Sequence, residues 1–192
     1  MLKKITALTT FLFFSATTIF AATYKVDPVH SQIHFTVPHL MMFKVRGAFT
    51  DYSGTVEVDD KNKITTANAT IKTASIDTRE QKRDDHLRSP DFLNAAEYPT
   101  ISFISSRFVQ DENNVTAYGK LTIRGITKDV TLTGKFLGVN TDPWGNVRTG
   151  FEATTTINRR DFGLSWNKAI ETGGFLVGDQ VEIGLEVEAI KQ

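Results

Sequence analysis

Val181-Glu182-Ile183-Gly184-Leu185-Glu186-Val187-Glu188-Ala189 alternates apolar with small or acidic residues over nine positions. Successive side chains of a strand point to opposite faces, so this stretch reads as a strand with one apolar and one largely acidic face. The same period recurs upstream. Ile33, Phe35 and Val37 alternate with Gln32, His34 and Thr36, and Phe151, Ala153, Thr155 and Ile157 with Glu152, Thr154 and Thr156. Val130, Leu132, Gly134 and Phe136 form another such face. Further strands are expected near 46–58, 64–74, 100–108 and 115–124. Turn chemistry separates them at Asp59-Asp60-Lys61-Asn62, Asp111-Glu112-Asn113-Asn114, Arg124-Gly125 and Asp142-Pro143-Trp144-Gly145. The count is about eight antiparallel strands, several about nine residues or roughly 30 Å long. Long strands apolar on one face and joined by tight turns predict an all-β up-and-down barrel. Eight strands leave room for about one small ligand. A β-sandwich satisfies the same periodicity.

One segment departs from this period. Thr78-Arg79-Glu80-Gln81 reads as a capping box, opening a polar helix that should stop at Ser89, before Pro90. Ser89-Pro90 then reads as the start of a second short turn. One or two short helices are therefore expected.

The first 21 residues carry Lys3 and Lys4, then an apolar stretch from Ile5 to Phe20 that ends at Ala21-Ala22. That is the pattern of a secretory signal peptide cleaved after Ala21. Residues 22–192 would form one domain, exported to a bacterial periplasm or the medium. Without Lys3 and Lys4 the chain has 20 basic and 22 acidic residues, a net charge of −2, so nucleic acid is not an expected partner. There is no Cys, which removes disulfides, thiol chemistry and lipoprotein acylation.

The polar landmarks between the strands carry a resemblance. They run Tyr24-Lys25-Val26-Asp27-Pro28-Val29-His30-Ser31; Arg83-Asp84-Asp85-His86-Leu87 with Ser89, Asp91 and Phe92; Tyr98-Pro99-Thr100-Ile101-Ser102-Phe103; Gly119 to Thr127; Arg160-Asp161-Phe162-Gly163; and Val177-Gly178-Asp179-Gln180-Val181. In this order, over nearly all of residues 22–192, the set resembles the YceI family of bacterial periplasmic, lipocalin-like proteins. Tyr24 stands where Trp is usual, and Leu93 where a second Phe is common. The resemblance implies an elongated antiparallel barrel with an apolar tunnel that binds polyisoprenoid or other long-chain amphiphiles, often as a dimer. It also implies a part in isoprenoid-quinone transport, storage or stress responses. No cofactor is required under this reading; the expected bound molecule is a polyisoprenoid or other long-chain lipid.

Under that resemblance the inward residues Ile33, Phe35, Val37, Phe103, Leu132 and Phe136 are the candidate lining, and Arg83 or His86 would meet a polar head at an opening. An Arg can grip a diphosphate with two parallel hydrogen bonds. The plainer reading of Arg83, Asp84, Asp85, His86 and Arg88 is a solvated helix with internal ion pairs. His30, His34 and His39 fall within ten positions, but strand geometry separates neighbouring side chains, so no metal site is expected and His34 should face water. Asp27, His30 and Ser31 contain triad chemistry by type, yet adjacent strand residues cannot align as nucleophile, base and orienter. No enzyme activity is expected. Trp144 is a candidate exposed loop residue for transient membrane contact. Ten Phe follow residue 21, and they either fill the core or line a tunnel. The small residues Gly47, Ala48, Ala67, Ala69, Ala117, Gly134 and Ala153 permit a cavity. A filled barrel acting through its surface or as a dimer is the other reading.

Overall fold

The computed structural model describes residues 21–171 and 173–192. The signal-peptide reading of residues 1–21 lies almost wholly outside them. The strands are β1 (Ala22–Val26), β2 (Gln32–His39), β3 (Phe43–Phe49), β4 (Tyr52–Val58), β5 (Ile64–Lys72), β6 (Ile76–Asp77), β7 (Thr100–Asp111), β8 (Asn114–Ile123), β9 (Ile126–Thr141), β10 (Val147–Asn158) and β11 (Gln180–Lys191). Among the described residues the single α-helix, α1 (Gln81–Arg88), lies between β6 and β7.

Closure depends on β11, the stretch with the clearest alternation. One edge pairs with β10 along its whole length. On the other edge Ala189–Lys191 pair with β1 and Glu182–Glu186 with β2. The strands follow the order β1-β4-β5-β7-β8-β9-β10-β11 and return to β1, every pairing antiparallel. The fold is therefore an eight-stranded closed barrel and not a sandwich. β2, β3 and β6 extend the wall at one end as continuations of β1, β4 and β5, so three of the eight staves are bent in two. The expected strand 46–58 is accordingly β3 and β4, interrupted at Thr50-Asp51.

The bend between β1 and β2 is held by its polar residues. Asp27 accepts from the Val29 amide at 3.1 Å, and the Ser31 hydroxyl donates to the Glu188 carbonyl and accepts from the Glu188 amide. The Tyr52 hydroxyl donates to the Ser31 carbonyl. These are structural duties for two members of the Asp27, His30, Ser31 set. The hairpin tips follow side-chain chemistry as expected: Asp59 accepts from the Lys61 and Lys63 amides, and Asp142 from those of Trp144 and Asn146.

The helix differs from its expected start. Glu80, not Thr78, is the N-cap, accepting from the Lys82 amide, and Gln81 is the first helical residue. Thr78 is buried, and both its amide (2.9 Å) and its hydroxyl (2.6 Å) donate to the buried Asp84 carboxylate, a stronger acceptor than the neutral Gln81 amide. Arg79, at φ 62°, carries the chain from that anchor into the helix. The helix ends at Arg88 with Ser89 as its C-cap, as expected, and Ser89-Pro90 opens a turn closed by the Phe92 amide on the Ser89 carbonyl.

Two buried clusters mark the barrel's ends. Phe92, Leu93, Ile101, Leu121, Ile123, Ile157, Phe162 and Leu164 gather near α1. Tyr24, Val56, Val58, Ile64, Val115, Phe136, Phe151 and Ala189 gather at the far end.

Candidate functional site

Many residues of these clusters also wall two spaces where inward side chains do not meet. The outer chamber, beneath α1, has a volume of about 310 Å³, and its wall includes Phe35, Val37, Val45, Phe49, Val181 and Trp166. The inner chamber, of about 170 Å³, is walled by Phe103, Phe108, Leu132, Val130, Phe151 and Val187 among others. Ile33, Ile71, Leu121 and Ile183 belong to both walls and mark the neck where the two chambers adjoin. Closely packed cores leave few voids larger than one water.

Small residues explain the inner chamber. Ala67, Ala69, Ala117 and Ala153 all lie on its wall. The other small positions serve close approach. Gly47 lies under the Phe35 ring, Gly134 lies against the backbone of Glu152 and Ala153, and Ala48 pairs with His34. Six of the ten Phe line chambers: Phe35, Phe49 and Phe92 the outer, Phe103, Phe108 and Phe151 the inner. Phe136 and Phe162 are packed solid, and Phe43 and Phe175 are exposed.

The candidate lining thus divides. Phe35 and Val37 face the outer chamber, Phe103 and Leu132 the inner, and Ile33 the neck. Phe136 does not reach either chamber. It is 4% exposed and stacks on Phe151 with ring centroids 5.6 Å apart, inside the cluster that closes the far end.

Arg83 and His86 both reach the outer chamber wall. Arg83 donates through Nε and a terminal nitrogen to the hydroxyl and carbonyl of Thr78, at 2.7 and 2.8 Å. Among the described residues it has no direct ion-pair partner; the nearest carboxylate on this network is the buried Asp84, which accepts from the same Thr78 hydroxyl that Arg83 donates to. The charge run on α1 is only partly the solvated face expected: Arg88 pairs with Asp85 at 3.1 Å, but it also donates to the carbonyls of Ala74 and Ile76, pinning the helix to β6. His86 hydrogen-bonds Asp91 at 2.9 Å and meets Phe92 and Trp166 edge-on, with centroids 5.0 and 4.8 Å away. These three rings line one side of the outer chamber.

Two wall residues escaped the sequence reading. Arg159, 3% exposed, binds the carbonyls of Leu164, Trp166 and Gly178 and pairs with Asp179 at 3.1 Å. Burial pushes its guanidinium down, and Asp179 opposes that shift. The signal was present, since 151, 153, 155 and 157 face inward and 159 continues the period. Trp166 sits in irregular chain placed by Arg159, and no periodic signal marks it. Beside Arg159, Arg160 pairs with Asp179 and Phe162 anchors the turn at 1% exposure, in keeping with a structural reading of that motif.

The three clustered histidines go different ways. His34 is half-buried rather than free in water, its ring against Gly184 and its Nδ1 buried without a partner, because Gly184 leaves a gap the ring fills. His39 lies at the outer chamber mouth. At the far end His30 contacts Asp27 at 2.9 Å, and with Glu188 these groups lie within 4.8 Å of one another. Arg148 sits among them, 2.9 Å from Asp27 and 2.7 Å from Asp142, also bonding Glu188. The guanidinium supplies the positive charge that a metal ion would bring to this cluster.

Comparison with known proteins agrees with this geometry. A YceI-like domain model matches residues 24–189. Protein YceI of Escherichia coli O157:H7 is 40% identical over 184 residues, covering 94% of this chain and 93% of its own length. The crystal structure of Burkholderia cenocepacia BcnA superposes with a TM-score of 0.74 at 26% identity, covering 85% of this chain and 99% of its own. A polyisoprenoid binding domain from Saccharophagus degradans, 13% identical, shares the fold with a TM-score of 0.67 over 90% of this chain and all of its own. The domain match and the length and identity of the shared sequence show that the chain belongs to the YceI family.

Proposed function

We propose that this protein is a periplasmic binding protein that holds one long-chain amphiphile inside its barrel, for transport or storage, and does not catalyse a reaction. The amphiphile would be a polyisoprenoid, an isoprenoid quinone or a fatty-acid derivative. The observation that carries the reading is the pair of adjoining chambers that share an aliphatic boundary and have almost wholly apolar walls. Such a space suits a chain rather than a compact polar metabolite. The polyisoprenoid binding described for the Saccharophagus degradans domain of the same fold adds support.

The tail would thread the neck into the inner chamber and end against Phe151. The head would stay in the outer chamber, where Arg83 offers a guanidinium with no direct ion pair and His86 an aromatic edge. Each buried methylene contributes about 0.8 kcal/mol, so a tail of about fifteen methylene equivalents gains roughly 12 kcal/mol. Association costs about 4–15 kcal/mol, a range that the burial of a long tail offsets far better than that of a short one.

The test is protein purified from its natural compartment without added lipid, extracted and read by lipid mass spectrometry. A long-chain amphiphile at about one per chain is expected, on polypeptide whose mass begins at Ala22. Protein that carries no lipid and takes up none on exposure to a polyisoprenoid overturns the reading.

A further inference from the structure

We infer that the rim of the outer chamber is a docking surface for an anionic lipid bilayer, formed by the β2–β3 hairpin tip and the loop before β11. This rests on the lipid-binding reading above and adds where the lipid enters. Met41, Met42, Phe43 and Phe175 are 71%, 78%, 59% and 54% exposed, four large apolar side chains at one end of the barrel. They form one surface. The Leu40 amide donates to the Leu176 carbonyl, His39 bridges to Val177, and Met41 packs against Gly174. Leu40 and Met41 both hold positive φ, 52° and 64°, so the tip is a tight left-handed turn that projects Met41 and Met42 outward.

This surface runs directly into the cavity. Pro38, His39, Leu176 and Val177 line the outer chamber, and the exposed apolar residues are their immediate neighbours in the chain. A lipid tail moving from a bilayer into the barrel along this path keeps apolar contact throughout.

Charge selects the occupant. Lys44 and Arg46 are exposed on β3 just behind the tip, and Lys168 is exposed in the facing loop. Lys44 lies 3.4 Å from Glu182, whereas Arg46 and Lys168 have no ion-pair partner among the described residues. Apolar side chains that can enter the acyl boundary, backed by cations at headgroup height, are the composition of an interfacial lipid-binding surface. Trp144, the more conspicuous exposed aromatic at 83%, is on the β9–β10 hairpin at the opposite, closed end and takes no part.

The experiment is co-sedimentation of the full mature chain with vesicles of phosphatidylglycerol and phosphatidylethanolamine, and with vesicles of phosphatidylcholine alone. Binding to the anionic vesicles is expected to weaken as salt rises. Met42→Asp with Phe175→Asp should lower the partition coefficient at least about tenfold, because each removes an apolar insertion. Arg46→Gln with Lys168→Gln should lower it about fivefold per charge at low salt. Trp144→Ala should leave it unchanged. These positions are exposed, so the variants keep the barrel, which circular dichroism checks. Absence of binding, equal binding to both vesicle types, or binding indifferent to the rim substitutions overturns the inference. So does a solution dimer that buries the rim, seen as dissociation on Met42→Asp. Lipid extraction of the same preparations separates the two claims. Lipid-loaded protein that ignores vesicles refutes only the docking surface, whereas docking protein whose cavity never loads refutes only the binding reading.

Discussion

Replacing Leu121 by Trp should convert a two-chamber cavity into a one-chamber cavity. Leu121 is 8% exposed and lies on both walls, with Ile33, Ile71 and Ile183 completing the neck. An indole there closes the passage and leaves only the outer chamber. The inner chamber holds about a third of the combined volume. A tail of about fifteen methylene equivalents then loses about five from burial, roughly 4 kcal/mol, and its Kd rises about a thousandfold. A tail short enough for the outer chamber alone loses nothing. The assay is a displacement titration with amphiphiles of one headgroup and increasing chain length. In the wild type, affinity should climb with length until the inner chamber is full; in Leu121→Trp it should level off early. Overpacking costs about 1–3 kcal/mol of stability, so urea unfolding must first show that the variant is folded. Ile183→Trp, from β11, tests the neck from the facing wall. Folded variants with the wild-type length dependence would refute the two-chamber reasoning.

Three other outcomes follow from the geometry. Arg83→Met should weaken an anionic-headed amphiphile roughly 10- to 100-fold, with a neutral-headed one of the same tail unchanged, as the loss of a charge-assisted contact requires; paired titrations read the difference. Gly134→Ala places a Cβ 1.8 Å from the Glu152 carbonyl oxygen, so β9 must move away from β10 and stability should fall by about 3 kcal/mol or more in urea titration. Asn146 and Arg148 hold the Asp142 carboxyl well below its ordinary value of 3.8, and His30 and then Arg148 lower that of Asp27. Depressed folded-state values mean that the unfolded chain binds more protons as pH falls below about 4, so thermal stability should drop there, and Arg148→Gln should make that drop shallower.

The strands were legible because each carries its own period, and most lie within a few residues of where the alternation puts them. Closure was not. Whether β11 pairs with β1 and β2 is a contact between the two ends of the chain, and alternation is the same in a barrel and a sandwich. The helix start departs from the capping-box pattern for a local reason: the Thr78 hydroxyl donates to Asp84, six residues later, and accepts from Arg83 Nε rather than from the Gln81 amide. The candidate lining shows a further limit. Ile33, Phe35, Val37, Phe103, Leu132 and Phe136 all face inward, but only the barrel's taper decides which inward side chains meet. Phe136 meets Phe151 and seals the end, whereas Phe103 and Leu132 face a space left by Ala69, Ala117 and Ala153. Arg159 was readable as the inward continuation of β10, yet a charged residue at an inward position runs against the usual pattern until the loop carbonyls it binds are seen.

On this reading the barrel interior, and not its surface, holds the tail. Crystals of the chain loaded with a long polyisoprenoid test this most directly. One continuous tubular density is expected, running through the outer chamber, passing between Ile33 and Leu121, and ending against Phe151, with the head beside Arg83. Collapsed chambers, with the lipid ordered only on the outside of the barrel, would contradict it.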